Sequence, residues 1–170
     1  MVSTWKRPGQ GPLTFQRIAI VAPVTHEGVR RQIEDQLARE LGPGRATASY
    51  TLLPGPIDKA ALKARLAEGG YDGAIAVRIP DVEKEADFVG DPIYYGFGGW
   101  PMYDPGYVTV DTYVRVETRI YEMPSGELLF AATSKTVNPR DVTALVDETL
   151  NAVREELKKE GLIAPPVAAR

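Results

Sequence analysis

A chain of 170 residues in which 44% are hydrophobic and 25% charged holds enough apolar material for one folded core, and too much for a disordered segment. Its formal net charge of −3 removes the general attraction to phosphate backbones that marks nucleic-acid binders. The lack of cysteine excludes disulfides, thiol nucleophiles and thiolate zinc sites, and the longest apolar run, Ile18 to Val24, is far shorter than the roughly 18 residues of a membrane span.

Residues 1–16 carry Pro8, Gly9, Gly11 and Pro12 and read as an extended arm without helical or strand periodicity. The start, Met1-Val2-Ser3-Thr4-Trp5-Lys6-Arg7, lacks the apolar centre and cleavage site of a secretory signal, which leaves a cytoplasmic chain or one whose leader has been removed. Arg17 to Ala22 is a short apolar run closed by Pro23, the pattern of a strand buried on both faces. Thr25 is placed to cap a helix in which Val29, Ile33, Leu37 and Leu41 recur every fourth residue, with Arg30, Arg31, Glu34, Asp35, Arg39 and Glu40 on the remaining, solvated positions. Gly42-Pro43-Gly44 ends it.

A second strand is expected over Ala46 to Leu53, a second helix from Asp58 to the Gly69-Gly70 stop, and a third strand over Ala74 to Ile79. Tyr107 to Tyr121 alternates strictly, with Val108, Val110, Thr112, Val114, Val116, Thr118 and Ile120 on one face and Thr109, Asp111, Tyr113, Arg115, Glu117 and Arg119 on the other. Met123-Pro124-Ser125-Gly126-Glu127 then reverses the chain into a return strand, Leu128 to Val137. A last helix runs from about Arg140 to Glu160, and 164–170 form a flexible tail. The pattern predicts a single α/β (α+β) domain over 17–163: a five-stranded mixed sheet in the series β-α-β-α-β-β-β-α, order 2-1-3-4-5, with three helices packed on it.

Chemistry-bearing residues are sparse. His26, the one histidine, is the sole obvious general base, and neither a nucleophile nor a partner stands near it, so an exposed residue beside a helix cap is the favoured view. Asp81, Glu83, Glu85, Asp87 and Asp91 form an acidic series, the first four of which would share a strand face. Calcium is one use for it, but no D-x-D-x-D-G loop is present, and cross-strand pairing with Arg115 and Arg119 is preferred. Gly96-Phe97-Gly98-Gly99 lacks the following Lys-Ser/Thr of a phosphate loop. No catalytic residue, metal or cofactor is therefore assigned.

The segment 91–107 is the most informative. Tyr94, Tyr95, Phe97, Trp100, Tyr103 and Tyr107 stand among glycines and prolines that discourage regular structure, a composition suited to recognition loops. These six are the candidate binding residues, for a protein partner ahead of a glycan. Covering an open sheet edge is the equally weighted structural alternative.

Ser3-Thr4-Trp5-Lys6-Arg7-Pro8, Phe15 to Val21, Arg30 to Asp35, Ser49 to Pro54, Asp72 to Arg78, the Tyr/Gly-rich segment and Val116-Glu117-Thr118 with Tyr121 together resemble a family of small bacterial cell-envelope lipoproteins. Members of that family carry a leader and a lipidated cysteine just before the Ser-Trp-Pro arm, neither of which stands here. The resemblance implies a periplasmic domain, lipid-anchored in its natural form, that binds an envelope protein or peptidoglycan, with the membrane reached only through the anchor. The implied fold is similar to that of activator lipoproteins of penicillin-binding proteins and of the amino-terminal domain of the Tol-Pal periplasmic component. A hydrolase using His26 or the acidic series is one alternative. Another is a self-associating protein pairing through Leu128 to Val137 at a sheet edge.

Overall fold

A computed structural model describes residues 1–42, 44–89, 94–95, 101–102 and 107–163; side chains at 81, 87–89, 94, 95, 101, 102, 107 and 108 are outside the description. In chain order the elements are β1 (Ser3–Lys6), β2 (Ile18–Val21), α1 (Glu27–Leu41), β3 (Ala46–Ala48), α2 (Ser49–Leu52), α3 (Lys59–Glu68), β4 (Gly73–Val89), β5 (Tyr94–Tyr95), β6 (Pro101–Met102), β7 (Tyr107–Glu122), β8 (Leu128–Val137) and α4 (Val142–Lys159). Six strands form one mixed sheet in the order β1-β8-β7-β4-β2-β3, and β5 pairs with β6 apart from it. The five strands expected from the sequence occupy their expected order. The sixth, β1, is added on the outside.

Parallel β2 sits between β3 and β4, and all four of its residues are buried, which is why it reads as unbroken apolar sequence. Ile18 and Ile20 face α1 and α4, where they meet Ile33, Leu37, Val77, Val114, Val116, Leu145 and Val146. Ala19 and Val21 face the other way, toward Leu62 and Leu66 of α3, Tyr71, Ala74 and Met123. Two long helices thus cover one side of the sheet and a single ten-residue helix covers part of the other. A third cluster, Ile120, Phe130, Ala132, Val153, Leu157 and Leu162, seals the far end of α4.

The arm is tied along its length. β1 pairs antiparallel with Phe130–Thr133, and Lys6 reaches Glu160 at 3.0 Å. Leu13 donates its amide to the Leu162 carbonyl at 2.8 Å, and the Asp72 carboxylate accepts the amides of Gln16 and Arg17, both at 2.8 Å. Gly73 is required here: a Cβ at that position would lie 2.6 Å from the Phe15 ring. Strand β8 is therefore not the open edge along Phe130–Thr133; β1 lies outside it.

Three local expectations change. The strand proposed for 46–53 stops at Ala48 and turns into α2, because the Glu34 carboxylate accepts the Tyr50 amide at 2.9 Å and the Ser49 hydroxyl at 2.8 Å. Helix α1 begins after His26, not Thr25, and no side chain caps it; Asp58 and Asp141 do cap α3 and α4, each accepting an amide at 2.8 Å. Segment 91–107 contains regular structure, since Tyr94–Tyr95 pairs with Pro101–Met102. The reversal 123–127 is found where expected, with Gly126 at φ 75° and the Met123–Pro124 bond cis. The tail, 164–170, lies outside the described residues.

Candidate functional site

The third strand, expected to end at Ile79, continues to Val89. Its register against β7 slips between Arg78 and Asp81, where Pro80, which has no amide proton to give, sits in a bulge. One extra residue reverses the alternation. Ile75 and Val77 face the helices before the bulge, and Val82 faces the same way after it, opposite Val114. Glu83 and Glu85 are thereby sent to the other face, opposite Tyr113 and Asp111, while positions 81 and 87 stand in register with Arg115 and Thr109.

From Lys84 and Thr112 outward no third strand is paired with β4 or β7. Strand β2 stops at Val21, opposite Ala76, and the last β8 residue paired with β7 is Val137, opposite Tyr113. Residues 84–89 and 107–112 thus form a two-stranded ribbon projecting past the sheet, with Val82 and Glu83 at its root and Asn138 still holding Thr112 through two bonds of 2.8 Å. The helix-side face of the root and ribbon carries Val82, Lys84, Ala86, Val110 and Thr112, and helix cover runs out across it: Val82 is 53% exposed and Val110 55% exposed, while Val114, directly opposite Val82, is 6% exposed. Its opposite face is acidic. Glu83 pairs with Arg115 at 3.3 Å, and Asp111 accepts the Asn138 side-chain amide at 2.7 Å.

The candidate binding residues are divided by this architecture. Tyr107 opens β7, and Tyr94 and Tyr95 form β5. Phe97, Trp100 and Tyr103 lie outside the described residues, as does Asp91 of the acidic series. Arg119, expected to meet the acids across the ladder, lies opposite Ala76 and binds Glu117 on its own strand at 3.3 Å, beyond their reach. Among the described residues no three His, Asp or Glu side chains converge as a metal site. No described helix is long and apolar enough to cross a membrane.

Sequence reasoning missed a second centre. Arg30 and Glu34, assigned to the wet side of α1, are 2% and 0% exposed. Arg30 donates from Nε to Glu34 Oε1 at 3.0 Å, from Nη1 to the Gly55 carbonyl at 2.7 Å and from Nη2 to Ser49 Oγ at 3.0 Å. Glu34 also accepts the Ala22 amide at 2.9 Å. One carboxylate thus ties the end of β2, the start of α2 and the middle of α1. Nearby, the Tyr50 hydroxyl donates to Asp35 at 2.7 Å, which, with partial burial, raises the tyrosine pKa above its ordinary value. The i, i+4 spacing of Arg30 and Glu34 was the only signal available, and on an amphipathic helix it reads equally as a surface pair.

This network lies below a crevice at the carboxyl end of β2, where the chain leaves toward α1 on one face and α3 lies on the other. Ligands of open α/β sheets commonly bind at such a place. Here the cations are occupied: each of the three Arg30 nitrogens is bonded, and Glu27 accepts from Arg31 at 3.0 Å. His26 is exposed at the rim with no side-chain cap bond. Ser49 is wholly buried and donates to Glu34, so it is part of the fold's internal bracing.

No family model matches the chain, and no curated protein matches it. Similar solved structures include a PelC dodecamer from Paraburkholderia phytofirmans, 9% identical, TM-score 0.49, covering 86% of this chain and 90% of that one. Lipoprotein GNA1162 from Neisseria meningitidis is 12% identical with TM-score 0.44, over 84% of this chain and 96% of that one. TolB from Acinetobacter baumannii is 17% identical with TM-score 0.42, over 92% of this chain but 31% of its own length. At such levels no function transfers.

Proposed function

We propose that the chain is a non-catalytic binding or assembly module of the bacterial cell envelope, periplasmic and lipid-anchored in its natural form. It takes a protein partner on the helix-side face of the β4–β7 ribbon, together with the aromatic segment that joins the two strands. The observation that carries this reading is the ribbon itself. A two-stranded projection with half-exposed valines on one face and carboxylates on the other gains nothing for the core, and it has the amphipathic form of a surface completed by another molecule. The resemblance of the sequence motifs to envelope lipoproteins supports the compartment.

Replacing Val82 and Val110 together by aspartate tests it. Both side chains are half exposed, so melting should move by no more than about 2 °C, whereas a partner retained from solubilised envelope proteins should bind about 30-fold more weakly. Unchanged retention by the double variant would remove the ribbon face from the account.

A further inference from the structure

The side of the sheet away from α1 and α4 is only partly covered. Between α3 and the exposed faces of β4 and β7 runs a groove of about 640 Å³, within the range of small-molecule sites. It is hollow because the sheet residues beneath it are small: Ala74 and Ala76 occupy positions where larger side chains would meet α3. Val21, Leu62 and Leu66 complete an apolar floor. Ile57 and Pro23 stand at one end, and Met123 and Gly126 at the other.

The rim has the opposite character. Lys59 and Lys63, one turn apart on α3, line one wall, and Arg78 and Arg119 line the other. The single acid in the lining is Glu117, shared between Arg78 at 3.0 Å and Arg119 at 3.3 Å. Neither lysine has an ion-pair partner among the described residues. Four cations against one carboxylate give a local excess of positive charge on a chain whose net charge is −3. An apolar trough bordered by more cations than its one carboxylate can balance is complementary to a molecule with a hydrocarbon body and an anionic head.

We infer that this groove binds a single-chain amphiphile with a carboxylate head, the chain lying on the Ala74–Ala76 floor and the head meeting Arg119 and Arg78, which already converge on Glu117. The end walls at Ile57 and Met123 suit a ligand of limited length better than a continuous helix of another protein. The site is separate from the ribbon, and its failure would leave the proposed function untouched.

Calorimetric titration of the full chain with dodecanoate below its micelle concentration tests the inference. Saturable one-to-one binding is expected, weakening roughly fifteenfold for decanoate because each of the two methylenes removed contributes about fourfold. Acetate and dodecyltrimethylammonium should not bind. Arg119→Gln with Arg78→Gln should weaken dodecanoate at least tenfold while melting stays within a few degrees, and Ala76→Phe should abolish binding by filling the floor. No saturable binding, equal binding of the cationic amphiphile, or full affinity in the Arg119→Gln/Arg78→Gln variant would each overturn the site. Dodecyl phosphate binding more than tenfold tighter than dodecanoate would overturn the carboxylate head. An acidic amphipathic peptide that saturates the groove where dodecanoate does not would overturn the small-molecule occupant.

Discussion

Replacing Glu34 by alanine is expected to cost about 3–5 kcal/mol of stability and to lower melting by roughly 10 °C. The change leaves the Arg30 guanidinium charged and buried at 2% exposure, with its Nε–H unpaired. It also strips an acceptor from the amides of Ala22 and Tyr50 and from the Ser49 hydroxyl. The penalty therefore comes chiefly from what remains unpaired, and a second substitution should relieve part of it. Arg30→Met combined with Glu34→Leu is expected to be less destabilised than the sum of the two single changes, because the double variant buries no lone charge. Chemical denaturation of the wild type, Glu34→Ala, the two single variants and the double variant checks this. A loss below about 1 kcal/mol for Glu34→Ala would mean that water reaches the pair and that it does not brace the β2–α1–α2 junction.

Phe130→Ala should be comparably damaging, at about 3–5 kcal/mol. Among the described residues Phe130 is the largest fully buried side chain, and it lies on the helix-facing side of β8 against Ile120, Val153, Leu157 and Leu162. Leu13 and Phe15 of the amino-terminal arm pack on the same cluster. The cavity left by the ring would thus loosen the arm as well as α4, and limited proteolysis within residues 8–16 should accelerate along with the fall in stability. A variant that melts normally, or one that loses stability with its arm still protected, would contradict the packing described for this end of the molecule.

The sheet was legible in the sequence because its signals are periodic. Buried β2 is an unbroken apolar run, β7 alternates over more than a dozen residues, and Pro124 and Gly126 mark the reversal into β8. What escaped depends on contacts distant along the chain. Ser49 to Leu52 has strand-like composition, and only Glu34, fifteen and sixteen residues earlier, turns it into α2. Arg30 and Glu34 carry the charges of a wet helix face, and their burial follows from Ser49 and Gly55 arriving to satisfy them. β1 has four residues, too few for a period, and owes its existence to the free edge of β8. The candidate site was legible in part. The acids of β4 and the alternation of β7 gave the two faces of the ribbon, but the bulge at Pro80 that aligns Val82 with Val114 and turns Glu83 and Glu85 to the opposite face leaves no signal beyond the proline itself.

The most direct measurement of the ribbon's role is site-specific photo-crosslinking in intact envelopes, with the reactive residue placed at Val110 and, as control, at exposed Glu148 on α4. The account predicts a discrete protein adduct at 110, none at 148, and loss of the adduct when Val82→Asp is added. Absence of an adduct at 110, or the same adduct from both positions, would contradict it.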